Sequence, residues 1–84
     1  MEGTRRMNAP VQIAPTIVRV LGVALAAVVP EARLSTDLGA DDLERIEIVI
    51  SLEANFNIEI GDDEIETIET VGDLTALVER KTAK

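Results

Sequence analysis

The 84-residue chain contains no cysteine and no histidine, so apolar packing alone must hold its fold. Disulfides, thiolate and imidazole metal ligands, thiol nucleophiles and every Ser-His or Cys-His arrangement are excluded together. Phe56 is the only aromatic residue, which leaves an aliphatic core and no platform for stacking bases. A chain this short buries only about 60% of the surface its unfolded form exposes. One small domain with one core is therefore expected. Apolar residues make up 46% of the sequence and charged residues 29%, a balance that folds and favours helices over disorder.

The formal net charge is −8, the wrong sign for a nucleic-acid binder. It is unevenly spread. Residues 1–36 carry Arg5, Arg6, Arg19 and Arg33 against Glu2 and Glu31, a balance of +2. Residues 37–84 carry fourteen acids against Arg45, Arg80, Lys81 and Lys84, a balance of −10. The acidic part attracts basic partner surfaces, or serves solubility alone.

Arg5 and Arg6 followed by the apolar run Val18–Val29 resemble a targeting segment. Arg19 and Gly22 interrupt the run, which also falls short of the roughly 20 residues of a membrane span. The segment reads as a helix.

Residues 1–12 read as a flexible tail and residues 13–84 as the domain. Pro15 suits the first turn of a helix. Ile17, Val20, Leu21, Ala24, Leu25 and Val28 then recur at helical spacing, and Pro30 stops the helix. Gly22 is an earlier breaker, which leaves the end anywhere between Leu21 and Val29. Val18, Val23, Ala26 and Ala27 lie off the main stripe, too many to bury in one small bundle. They meet a second molecule or partner, with self-association through helix one, or the helix bends around the core. Pro30–Ala40 is a loop anchored by Leu34 and Leu38.

The second helix is capped by Asp41 or Asp42. At about 100° per residue, Ile48, Val49, Leu52 and Phe56 fall on one face. Leu43, Ile46 and Ile50 fall on the nearly opposite face, flanked by Glu44, Glu47 and Glu53. One stripe enters the core; the other is a protein-docking surface or packs under the long loop. Arg45 points toward the core side and is expected to reach an acid of a neighbouring segment. Asn57–Gly61 is a connection in which Ile58 and Ile60 point the same way. Asp62 and Asp63 open a brief helix with Ile65 and Ile68. Thr70 caps a last helix whose apolar face is Val71, Leu74, Leu77 and Val78. Arg80, Lys81 and Lys84 lie at its C-terminal end, where positive charge complements the dipole.

Asp41 and Asp42 are adjacent and diverge by about 100° on a helix, so they cannot flank one substrate as acid and base. Asp37, Asp41, Asp42 and Glu44 do not follow the calcium-loop spacing, and no glycine-rich phosphate loop occurs. No enzyme and no dedicated metal site are expected.

Asp37-Leu38-Gly39-Ala40-Asp41-Asp42-Leu43 resembles the D-L-G-A-D-S-L signature of acyl carrier proteins. Leu52-Glu53-x-x-Phe56-x-Ile58-x-Ile60 looks like that family's continuation, and Asp62-Asp63-Glu64 like the acidic start of its third helix. Thr70-Val71-Gly72-Asp73-Leu74 is similar to its way into the fourth helix, and Leu21-Gly22-Val23 fits the end of its first. The likeness runs over roughly residues 9–83. It thins upstream of Leu34, where the first helix is apolar rather than heavily charged.

The resemblance implies an antiparallel all-α four-helix bundle with a short third helix and a long loop between helices one and two. It implies that Ile48, Val49, Leu52, Phe56, Ile60 and Ile65 line the interior that shelters an acyl chain. Asp41, Leu43, Glu44, Ile46, Glu47, Ile50 and Glu53 would form a docking face for the arginines and lysines of acyl-chain synthases or transferases. It places the protein in fatty-acid, polyketide or lipid biosynthesis and in the cytoplasm. A non-carrier interaction or regulatory module with the same fold is the alternative.

One position departs from the family. Its signature serine carries 4′-phosphopantetheine through a phosphodiester, and Asp42 stands there in this chain. A carboxylate has no hydroxyl to form that ester. Ser35 and Ser51, the only serines, match no attachment position, so no cofactor is expected on the chain as written.

Overall fold

In the computed structural model, which describes residues 13–83, the order is α1 (Ala14–Leu21), a 3₁₀ turn (Leu25–Ala27), α2 (Asp42–Phe56), α3 (Asp62–Glu66) and α4 (Val71–Thr82). Side-chain caps start α2 and α4, and left-handed Gly22 and Asn57 end α1 and α2. The tail assigned to residues 1–12, and Lys84, lie outside the described residues. The fold is an all-helical bundle with the long loop between α1 and α2 and a short third helix, as the sequence implies.

The first helix is shorter than the apolar run. Gly22 takes φ 70°, and its N–H bonds the Val18 carbonyl at 2.8 Å. A residue with a side chain rarely adopts that left-handed conformation, so the helix stops at Leu21. Ile17 is fully buried, with Val20 and Leu21 packed against the core. Beyond the break the helical spacing no longer holds. Ala24 is exposed and Leu25 is 63% exposed, where the stripe would have put both inside.

The long loop is pinned rather than loose. Leu34 and Leu38 are buried anchors, with Ala32 and Ala40. The loop pairs with the segment entering α4, Leu34 N–H donating to the Glu69 carbonyl and Val71 N–H to that of Ala32, each at 2.9 Å. Gly72 N–H bonds the Pro30 carbonyl at 2.9 Å, and a Cβ on Gly72 would sit 3.1 Å from that oxygen. The close approach favours a glycine there.

The core gathers Ile17, Ile48, Leu52, Leu74 and Val78, its largest fully buried side chains, with Val71, Leu77 and Ile68 around them. The α4 stripe read from the sequence is thus the buried one. Asn55 Nδ2 donates to the buried Thr16 Oγ1 at 3.4 Å, tying α2 to α1. Phe56, expected inside, is only half-buried and packs on the core's edge, because it ends α2 where Asn57 turns left-handed at φ 55°.

Candidate functional site

The two stripes of α2 separate as the helical angles require. Ile48 and Leu52 are 0% exposed and Val49 4%. On the other side Leu43 is 65% exposed, Ile46 44% and Ile50 57%. The long loop does not cover them; they form an apolar strip on the surface. Of the remaining residues assigned to an acyl-sheltering interior, Ile60 is buried, whereas Phe56 and Ile65 are half-buried against the core.

The acids around the strip divide by what their oxygens do. Asp41 is the N-cap: its Oδ1 accepts the Glu44 N–H at 2.8 Å, and Glu44 Oε1 accepts the Asp41 N–H at 3.1 Å. This reciprocal box satisfies two otherwise orphaned donors of the first turn. Glu53 Oε2 accepts the Ile60 N–H at 2.8 Å and fastens the α2–α3 connection. Of the two candidate caps Asp41 is the one used, and Glu44 and Glu53, expected as a charged rim, also shape the backbone. Glu47 is exposed, and with Ile50, Ser51, Arg19 and Val20 it borders a shallow depression. Arg19 beside this strip is a feature that helical angles within α2 cannot reveal.

Asp42 follows the cap as the first residue of α2 and is exposed. Its carboxylate has no hydrogen-bond partner among the described residues. It borders an open groove of about 530 Å³ with Arg45, Ile46, Asp62, Ile65 and Glu66. The floor is apolar and three of the lining side chains are acids. This position carries the attachment serine in the family signature. The residues present do not fit a phosphodiester-linked group, since Asp42 offers no hydroxyl, Ser35 lies on the loop and Ser51 in the middle of α2.

Arg45 corrects a second expectation. It does not pair with an acid. Its Nη2 donates to the Ile65 carbonyl at 2.9 Å, which also accepts the Ile68 N–H at 3.2 Å, and to the Ile68 carbonyl just beyond α3 at 2.8 Å. On the other side of α3, Lys81 Nζ lies 2.8 Å from Glu64 Oε1, an oxygen that also accepts the Gly61 N–H at 2.9 Å. The Lys81 hydrogen bond first, then that of Gly61, hold the Glu64 carboxyl below its usual range. Asp73, whose Oδ2 accepts the N–H groups of Glu69 and Thr70 at the start of α4, is lowered by those bonds in the same way.

Among the described residues no helix is long and apolar enough to cross a membrane, and no group of three or more acids is placed to hold a metal ion.

Comparison with known proteins agrees with the geometry. Residues 11–78 match the phosphopantetheine attachment site family. A curated acyl carrier protein from Thermotoga maritima is 37% identical over 61 residues, covering 73% of this chain and 75% of that protein. With its all-helical fold and a match over most of its length, the chain belongs to the acyl carrier protein family, whose members are carriers and not enzymes.

Proposed function

We propose that this protein is an acyl-carrier-like component of fatty-acid, polyketide or lipid biosynthesis that docks acyl-chain synthases or transferases through the outward face of α2, and that Asp42 keeps it from carrying 4′-phosphopantetheine. The observation that carries the docking reading is the strip of Leu43, Ile46 and Ile50, left 44–65% exposed on the helix whose other face is fully buried. Exposed aliphatic side chains at helical spacing give a partner apolar area to cover. Asp41, Glu44, Glu47 and Glu53 around them favour arginine and lysine, which accelerates encounter and sets orientation. The protein acts in the cytoplasm on this reading.

Asp42 itself favours a second reading, a non-carrier interaction or regulatory module. A carboxylate at the start of α2 puts fixed negative charge near where the family's phosphate lies. The module then binds or regulates the pathway enzymes without passing a chain between them.

Titration of isotope-labelled protein with a panel of acyl-chain synthases and transferases tests the docking face. Amide shifts centred on Leu43, Ile46, Glu47 and Ile50, weakening as salt is raised, are expected. Binding centred on α4, or no binding by any member of the panel, would overturn it. The exposed Leu25 and Val29 of the α1–α2 connection support self-association there. Sedimentation equilibrium should show dimerisation that Leu25→Ser weakens, and a strict monomer at high concentration contradicts it.

A further inference from the structure

The third helix is too short to hold its own position. It spans five residues, none of them fully buried, and a helix of that length is unstable without outside contacts. Three side chains from neighbouring helices clamp it. Lys81 and, at 3.9 Å, Arg80 of α4 reach Glu64 near its middle, and Arg45 of α2 reaches the Ile65 carbonyl and the Ile68 carbonyl just beyond it.

Arg45 spans from α2 to the Ile65 and Ile68 carbonyls beside the groove that Asp42 borders. Its own side chain lines the groove with Ile46 and Ile65. The buried Ile48, Leu52 and Ile68 do not line it. An apolar chain leaving position 42 would have to part α2 from α3 to reach them. That movement breaks two charge-assisted bonds and leaves guanidinium N–H groups and the Ile68 carbonyl without those partners in a partly buried site, while the Ile65 carbonyl keeps the Ile68 N–H. Lodging methylenes beside an unpaired guanidinium adds a further penalty.

We propose that Arg45 is a latch that ties α3 to α2 across the groove beside position 42, so that the folded domain keeps an apolar chain at that position on its surface. Arg45 is then a positioning residue for α3. The inference uses family membership for the expectation that the interior shelters a chain, and it is independent of the docking reading. A domain with no attachment hydroxyl and a latched interior is consistent in both respects: it neither carries nor encloses a chain.

The chain has no cysteine, so Asp42→Cys provides one alkylation point in the 84-residue chain. An S-octyl group is attached there, and methyl chemical shifts are compared before and after. With Arg45 in place the octyl group should move only the Ile46 and Ile65 methyls. With Arg45→Met added, which keeps an apolar stem and removes the donors, it should move those of Ile48, Leu52 and Ile68 as well. Amide exchange at Ile65–Ile68 should accelerate in the same variant. Interior methyl shifts with Arg45 intact would overturn the latch, and this arm stands even where Arg45→Met fails to fold. An octyl group excluded equally from a folded Arg45→Met variant would also overturn it.

Discussion

Replacing Leu52 by alanine and Ile50 by alanine, two residues apart on one helix, separates the two faces of α2 by their cost. Leu52 is 0% exposed, and truncating a buried leucine removes transfer energy and leaves a cavity, about 2–5 kcal/mol in all. The total stability expected for 84 residues is about 4–13 kcal/mol, at roughly 0.05–0.15 kcal/mol per residue. A loss of about 3 kcal/mol lowers the melting temperature of so small a domain by about 12–24 °C. Ile50 is 57% exposed and keeps less than half of the roughly 1.5–3 kcal/mol that burial of an isoleucine confers. Alanine recovers about 0.4 kcal/mol of helix propensity, so the net change stays near about 0.5 kcal/mol. Urea unfolding followed by far-ultraviolet circular dichroism measures both, since the chain has no Trp or Tyr and intrinsic fluorescence offers little. Equal losses, or a larger loss at Ile50, would refute the assignment of the strip to the surface.

Phe56→Ala should cost about 1–2 kcal/mol rather than the roughly 3–5 kcal/mol of a fully buried phenylalanine, because the ring is only partly buried at the core's edge; a melting temperature as low as that of Leu52→Ala would show that it is central. Asp73 has its folded-state pKa lowered by the Glu69 and Thr70 N–H groups, so its contribution is present above its ordinary 3.8 and is lost as pH falls through the lowered value. Asp73→Asn should therefore be less stable than the parent at neutral pH, with a gap that narrows as pH is taken below 3.8 in urea melts; a gap that widens contradicts the bonding. Added salt or millimolar magnesium should raise the melting temperature by screening the acids of residues 37–84 over about 10 Å at 0.1 M ionic strength. Indifference to both ions would mean that internal pairs already neutralise that face.

Where structure depends on neighbours in sequence, the residues disclose it. Thr70 with Asp73, and Asp41 with Glu44, form the capping boxes that start α4 and α2. The period of Val71, Leu74, Leu77 and Val78 marks the buried face of α4. The opposed stripes of α2 follow from helical angles alone. What escapes is settled by distance. Arg45 meets carbonyls 20 and 23 residues away, and nothing in local spacing distinguishes those acceptors from a carboxylate. Glu53 turns from the surface to the Ile60 N–H because the chain reverses after Asn57. Leu25 lies on the helical stripe only if the helix survives Gly22, and it does not. At Asp42 the sequence is more informative than the fold, since Asp41 and Glu44 cap the helix whichever residue follows the cap.

The central claim, a member of the acyl carrier family whose attachment position cannot be loaded, is tested most directly by intact-protein mass measurement after incubation with a phosphopantetheinyl transferase and coenzyme A. The chain as written should keep its mass. Asp42→Ser should gain one phosphopantetheine, because Asp37-Leu38-Gly39-Ala40-Asp41 and Leu43 already match the signature and the cap of α2, Asp41 with Glu44, is left in place. A phosphopantetheine on the unaltered chain would contradict the claim, and a folded Asp42→Ser variant that several transferases leave unmodified would show that more than the serine has been lost.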